Sequence, residues 1–585
     1  MGSQPVAADL GLTPGFKSIV FGLRNGKLYV VRHNNNGTWG AATGWPQQLP
    51  THIYSRPAVG DVNGDDEPDI VVGYGSVETQ GMAHGGLRAY GRDGSLLWEV
   101  QTDDVTPGPA NGLRDPVMAT PAIGDIDGDG SMEVVFGALD HQLYVVNGEN
   151  GLSNNTAVWP KDMQDTVFSS PALHDMDGDG RLDIITGTDY FLNGGGRLRV
   201  LRYDGTELTG FPKSIDQAVS SPPTVGDIDG DGKPDIVHGT GAFFPGRLER
   251  VYAWRCDGSA VPGWPVAVSG QVYTSPTLVN LDADPALEVL VTADNSRSST
   301  EFHLYAFNGD GSQIFSTTVR GFFGDSLSAR EPMVADVLGD TALEILVATN
   351  AEVAVFTKAG VQLTENDGWP DDLTKVNFAT QGSLSGVIAT DLETDGSDDK
   401  IEVVTVSARN FDTQTITVVH AWNPVSRTST PPWGMFRQDP ARRGVAPGTG
   451  PCNGACGGPT APLDFYTLTP CRLVDTRSAA GPRGGPVLAS GTVRNFALTG
   501  ICGVPATAKA LSLNVTVTGG TGLGYVRFSP ACQLPVTAII DFNTGQTRAN
   551  NSLLALGAGG ILTAGATVSG AGTVHLILDV NGYFE

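Results

Sequence analysis

The spacing of its aspartates constrains this chain more than any other feature. The pattern Asp-x-Asp-x-Asp-x-x-x-Asp/Glu returns repeatedly, after a Ser/Thr-x-Pro or Ser/Thr-Pro lead and before a short apolar run. SRPAVGDVNGDDEPDIVVG supplies Asp61, Asn63, Asp65 and Asp69, and TPAIGDIDGDGSMEVVFG supplies Asp125, Asp127, Asp129 and Glu133. SPALHDMDGDGRLDIITG supplies Asp175, Asp177, Asp179 and Asp183, and SPPTVGDIDGDGKPDIVHG supplies Asp227, Asp229, Asp231 and Asp235. A fifth copy, SPTLVNLDADPALEVLVT, opens on Asn280 and continues with Asp282, Asp284 and Glu288. A ligand at every second residue of a tight loop, then one four residues later, wraps a hard cation in oxygen. The expectation is Ca2+ in about five loops. The seventh loop position is Glu67, Ser131, Arg181, Lys233 or Ala286, side chains with nothing in common, so a backbone carbonyl is expected there. An EF-hand is excluded, because no Glu stands at loop position twelve and strand-like runs follow. A Gly-Asp turn without metal is the plain alternative, and five copies at one spacing argue against it.

The copies also define a repeat of about fifty to sixty residues. Each unit reads as a Ser-Pro strand, the acidic loop, a DIVxG strand, an xLYVxxxDG strand and a strand carrying Trp or Phe. Two weaker units follow the five, with Asp336, Leu338, Asp340 and Glu344, then Asp391, Glu393 and Asp395. An eroded copy at the amino end keeps only Asp9. Four short strands repeated in eight units predict an all-β chain, an eight-bladed β-propeller that closes radially and leaves few edges exposed. Seven blades is the alternative, if the first and last units share one.

These motifs resemble the FG-GAP/VCBS repeats of integrin α-subunit propellers and of many bacterial extracellular proteins. The resemblance covers roughly residues 3–444. It implies a calcium-loaded propeller and leaves the activity open, since such propellers serve as adhesins, lectins and polysaccharide lyases.

Domain limits follow from composition. Residues 1–444 form the propeller, 445–462 a Gly/Pro-rich linker and 463–585 a second domain. Alternating apolar runs such as ALSLNVTVTGG and TVHLILDVNGYF predict a small β-sandwich there. FYTLTPCRLVDTRSAAGPRGG and GQTRANN resemble a domain found at the carboxyl ends of secreted bacterial proteins. The chain carries a formal charge of −27, while residues 459–585 alone carry +2. Such acidity argues against nucleic acid as a partner, and no run is long and apolar enough to span a membrane. Calcium loops favour a secreted or cell-surface location, where free calcium fills weak sites. Met-Gly-Ser at the start reads as a cloning scar. Of six cysteines, Cys452 and Cys456 could close a loop in the linker, two of Cys471, Cys502 and Cys532 could pair, and Cys256 is expected as a buried free thiol.

Binding is expected on the face opposite the calcium loops, where connections vary most in length. Tyr190, Phe191, Phe243 and Phe244 stand in pairs among glycines there, suited to stacking on a sugar or packing on a protein, with packing between blades as the alternative. Three residues before the lead prolines stand Tyr54, Met118, Phe168, Val219 and Tyr273, a ring of bulky side chains expected to pack in the core, with crowding of the propeller's mouth as the alternative. Arg114, Arg330 and His52 lie on the same connections and read as surface charge, with binding of an acidic ligand as the alternative. The nine histidines are scattered, and His174 and His238 read as structural. With no nucleophile elbow, metal-binding histidine set or phosphate loop, the expected function is extracellular binding or adhesion, with a glycan or extracellular protein as partner. The enzymatic alternative is a polysaccharide lyase of the rhamnogalacturonan-lyase type, whose calcium-containing propellers this chain resembles.

Overall fold

The computed structural model describes residues 3–35, 38–76, 85–105, 114–190, 194–241, 244, 249–282, 284–294, 301–320, 330–338, 340, 342–349, 353–364, 383–393, 401–411, 414–422, 445–446, 465–479, 481, 483–490, 492–530, 538–557, 560–569 and 572–585. Every regular element among them is a strand. The chain falls into two compact units, residues 1–174 with 181–447 and residues 175–180 with 448–585.

Among the described residues of the first unit, eight antiparallel sheets follow one another in chain order. The second is representative, with strands Ala58–Gly60, Asp69–Tyr74, Gly86–Tyr90 and Leu96–Gln101 paired in sequence. Burial falls from the inner to the outer strand. Asp69–Tyr74 is buried throughout, whereas Leu96–Gln101 alternates toward solvent. This is why the DIVxG runs are apolar at every position: both faces of the second strand pack on neighbouring sheets. The first and eighth sheets meet as well. Gln4 Nε2 donates to Val387 O at 3.0 Å, Lys17 N donates to Leu392 O at 2.7 Å, and Phe16 bridges to Glu393. The sheets therefore close into a ring, the arrangement of a β-propeller.

Three repeated devices tie sheet to sheet, and each accounts for a motif residue. The hydroxyls of the Ser-Pro leads donate to the lead of the next sheet: Ser55 Oγ to Ala119 O at 3.0 Å, Ser169 Oγ to Ser221 O at 3.2 Å and Ser221 Oγ to Thr274 O at 2.8 Å. Tryptophans in or beside the outer strands donate to the turn after the third strand of the next sheet. Trp45 Nε1 reaches Arg92 O at 2.9 Å, Trp98 Nε1 reaches Gly148 O at 2.6 Å and Trp264 Nε1 reaches Gly309 O at 2.8 Å. The glycine closing each DIVxG run sits under an aliphatic residue of the following lead. A Cβ on Gly137 would lie 2.3 Å from Val167 Cγ1, and one on Gly239 would lie 2.3 Å from Val272.

That last contact corrects one sequence assignment. Gly187 faces Val219 as Gly137 faces Val167, so Val219 belongs to the buried aliphatic ring. The doubled proline after Ser221 had shifted the register. Ser220 takes the place beside Tyr54, Met118, Phe168 and Tyr273. Cys256 is also corrected: it is buried and disulfide-bonded rather than free, and its partner lies outside the described residues, as do Cys452, Cys456 and Cys532. Val445 and Ala446, assigned above to the linker, are held instead by the fifth sheet. Val445 bridges in parallel to Val225, and Ala446 N donates to Val225 O at 2.7 Å.

The described residues of the second unit form two sheets. One orders Phe465–Asp475, Thr573–Phe584, Ala510–Thr518 and Arg548–Ala555, and the other Thr492–Ala497, Ile561–Val568, Gly524–Pro530 and Ala538–Phe542. Strict alternation along Ala510–Thr518 sends Leu511, Leu513, Val515 and Val517 into a core shared with Phe496, Val526 and Leu562. Cys471 and Cys502 pair, with Cα atoms 5.7 Å apart across a separation of 31 residues. Closing a loop of that size stabilises by about 3–4 kcal/mol in the chain-entropy account.

Candidate metal sites and the opposite face

Each acidic loop joins the first strand of its sheet to the second, as between Ala58–Gly60 and Asp69–Tyr74. The backbone turns tightly because residues at the fourth and sixth loop positions take positive φ: Gly128 at 77° and Gly130 at 95°, Gly178 at 76° and Gly180 at 90°. In the second sheet the sixth position is Asp66, at φ 65°, a conformation that aspartate tolerates better than most side chains. The first-position carboxylate gathers the amides so exposed. Asp125 accepts from Gly128 N at 2.7 Å and Gly130 N at 3.0 Å, and Asp175 accepts from Gly178 N and Gly180 N at the same distances. The ninth-position carboxylate accepts from the second-position amide, as Glu133 does from Ile126 at 3.0 Å and Asp235 from Ile228 at 3.1 Å.

These turns aim side-chain oxygens at one point. Among the described residues, Asp125, Asp127 and Glu133 bring ligand atoms within 4.8 Å of one another, as do Asp175, Asp177 and Asp183, then Asp227, Asp229 and Asp235, and finally Asp282, Asp284 and Glu288. Each trio could hold a metal ion, and the all-oxygen donor set suits a hard cation. The loop of Asp61, Asn63, Asp65 and Asp69 forms no such acidic trio, since its third position is an amide, and Asn63 Nδ2 donates to Asp65 at 2.9 Å. Asp129, Asp179 and Asp231, at the fifth position, stand outside the trios, as does Asn280, whose amide donates to Asp284 O. In the fifth sheet Arg255 reaches into the loop, with Nη2 2.6 Å from Asp229 Oδ2.

The ninth-position carboxyls are the most deeply placed, with Glu133 at 1 % and Asp235 at 0 % exposure. Burial, reinforced by neighbouring carboxylates, pushes Asp69 up to about 6, Glu288 to about 7, and Glu133 and Asp235 to about 8. A cation among them would reverse the effect. One atom records the fit directly: Asp235 Oδ1 is buried with no hydrogen-bond donor, beside two further carboxylates.

The weaker loops behave differently. Asp336, Asp340 and Glu344 form no such trio, although Glu344 still accepts from Val337 N at 2.9 Å. In the eighth sheet the ninth-position role falls to Glu402, which accepts from Leu392 N at 2.8 Å. Sequence spacing missed it because extra residues precede its strand, although IEVVTV parallels LEILVA. Asp395 lies outside the described residues. In the first sheet Ala8 pairs with Ser18 where Gly60 pairs with Asp69, so the eroded copy has a hydroxyl in place of the buried carboxylate.

On the opposite face, Tyr190 ends the strand Asp183–Tyr190, and Phe191 and Phe243 lie outside the described residues. Phe244 is half-buried, its backbone clamped by Gln217 in both directions, N to Oε1 at 3.2 Å and O from Nε2 at 3.1 Å. Arg114 donates to Thr102 O. His238 is fully buried and held well below its usual range, to about 4, and Trp254 Nε1 donates to its Nε2 at 3.2 Å, a packing role.

Asp189, on the same face, accepts from Thr166 Oγ1 at 3.1 Å and Ser220 Oγ at 3.2 Å, and burial pushes it up to about 6. A carboxyl raised on folding contributes stability below its unfolded pKa and loses it as pH rises through the folded value. Asp189→Asn should therefore stabilise the protein by about 2 kcal/mol at pH 8 and give no gain at pH 4. Denaturant unfolding at the two pH values checks this, and equal effects at both would count against it.

Residues 17–72 and 94–186 match the sequence profile of the FG-GAP-like repeat, so the chain carries FG-GAP-like repeats. No curated protein sequence matches the chain. Among solved structures, it is similar to BamB from Moraxella catarrhalis at 14 % identity and a TM-score of 0.40, over 72 % of this chain and 100 % of that one. It is similar to rhamnogalacturonan lyase YesW at 16 % identity and a TM-score of 0.39, over 73 % and 83 %. The rhamnogalacturonan lyase PL11 of Bacillus licheniformis follows at 18 % identity and a TM-score of 0.38, over 70 % and 80 %.

Proposed function

We propose that the chain is an extracellular binding protein, an eight-bladed β-propeller stiffened by about five calcium ions and joined to a β-sandwich. Each of the eight sheets is one blade. The propeller presents a rigid loop face, opposite its metal loops, to a glycan or an extracellular protein. The observation that carries this reading is the recurrence of one convergent acidic trio in four successive sheets, each with a deeply buried carboxylate. Side chains of that charge, packed so closely, are stable together when a cation sits among them. Asp61, Asn63, Asp65 and Asp69 supply the remaining site through a neutral amide and three carboxylates.

Counting bound metal on purified variants tests the calcium half. Asp127→Ala and Asp177→Ala should each remove one ion, and Asp340→Ala none, because Leu338 interrupts that loop. Loss of an ion from the Asp340 variant would contradict this assignment. A glycan array run beside a polysaccharide-degradation assay tests the binding half. A bound glycan should lose about tenfold in affinity on Phe244→Ala, with calcium content and melting temperature unchanged. An unsaturated product absorbing in the ultraviolet would instead identify a lyase.

A further inference from the structure

The third strand of a sheet runs back toward the metal loop, so its last residue stands beside the loop's ninth position. In the third sheet Gln142–Asn147 places Asn147 opposite Glu133, and in the fifth Arg250–Arg255 places Arg255 opposite Asp235. The register is the same, and each loop carries a convergent trio: Asp125, Asp127 and Glu133 against Asp227, Asp229 and Asp235. The third sheet is therefore an internal control for what an arginine does in the fifth.

At the third loop position both carboxylate oxygens are engaged in each sheet. Asp127 Oδ1 accepts from Asp129 N at 3.2 Å, and Asp229 Oδ1 accepts from Asp231 N at the same distance. The partners of the second oxygen differ. Asp127 Oδ2 accepts from the neutral amide of Asn154 at 3.3 Å, which also donates to Asn147 Oδ1 at 3.1 Å. Asp229 Oδ2 accepts from Arg255 Nε at 3.0 Å and Nη2 at 2.6 Å. Charge-assisted hydrogen bonds of this kind are about twice as strong as neutral ones. The Asp229 side chain is 13 % exposed, so solvent screens the pair only in part. A cavity of about 510 Å³ adjoins it, lined among others by Asp229, Arg255, Asp282, Asp284 and Asp310. The guanidinium thus has room, and other carboxylates, to turn to.

We propose that Arg255 is an internal counter-ion of the fifth loop, which calcium displaces from Asp229 toward the cavity, so that this loop holds its ion more weakly than the third-sheet loop does. A cation at the trio draws on the same carboxylate and is repelled by the guanidinium charge. Whatever Arg255 contributes to the metal-free loop and loses on binding is subtracted from the affinity of the site. Loops of one spacing then fill over different ranges of free calcium, graded by the residue opposite the ninth position. The inference rests on the calcium reading and adds which residue sets the affinity of one site.

The test is calcium titration of the full chain, by calorimetry and by dialysis against buffered free calcium. Asp127→Ala should delete an ion of higher affinity and Asp229→Ala one of lower affinity, which assigns both. Arg255→Asn, matching the third sheet, should tighten the ion assigned to Asp229 about tenfold and leave the Asp127 ion unchanged. Arg255→Lys keeps the charge without the paired N–H groups and should fall between; it decides the matter if Arg255→Asn does not fold. Equal affinities of the two assigned ions, or an unchanged affinity in a folded Arg255 variant, would overturn the inference and leave the calcium reading in place. Weaker binding in Arg255→Asn would overturn it too, by making Arg255 a support that positions Asp229 for the metal. A chain that binds no calcium at all would overturn both.

Discussion

Chelation is expected to lower the melting temperature of the full chain by more than about 10 °C, and millimolar calcium to restore it. The size follows from the number of sites. A ligand that binds only the folded state stabilises by about 2.7 kcal/mol at a hundredfold excess over its Kd, and the proposed sites lie on different sheets. Without a cation, each trio forces carboxylates together within 4.8 Å, and one member of each is buried away from solvent. The fifth sheet should be the least affected, since Arg255 already holds Asp229. Arg255→Ala should therefore deepen the loss in the chelated protein more than in the loaded one. Calorimetric scans with and without chelator measure both. A melting curve indifferent to exhaustive metal removal would falsify the calcium reading.

Replacing Gly137 by alanine should cost at least about 3 kcal/mol, the second large effect. Its new Cβ would enter Val167, with Cγ1 at 2.3 Å and Cβ at 2.6 Å, and both residues lie in closely packed strands and leads that cannot part without opening the ring. Gly130→Ala makes the contrast. That glycine has φ 95° and open space beyond its Cα, so the cost is backbone strain alone, about 1 kcal/mol. Denaturant titration of both variants separates the two causes. Equal losses would mean that the sheet-to-sheet contact yields more readily than its geometry implies.

The recurrence of sheets was legible because each unit is specified by local signals: a hydroxyl-proline lead, an acidic turn and an apolar run closed by glycine. The acidic loops were legible for the same reason, since residues 61–69 or 125–133 fold on themselves. What could not be read depends on partners distant in sequence or on register. Glu402 was hidden by an insertion, and Val219 by a doubled proline. Cys256 was misjudged because spacing alone does not reveal a partner distant in sequence.

The anchoring of Val445 and Ala446 bears on how the molecule takes tension. The inner strand Thr224–Gly226 pairs on one side with Asp235–Gly239, and Val445 lies along it in parallel, with Ala446 buried. Force drawn along the chain beyond residue 446 would first meet an inner strand of the fifth sheet, not the last strand of the eighth. Strands loaded along their length resist by sliding, with their hydrogen bonds strained together, whereas an outer strand pulled sideways opens one bond at a time. The eighth sheet would thus be shielded from unravelling until this anchor slips, and the ring would carry a tether without being unzipped by it.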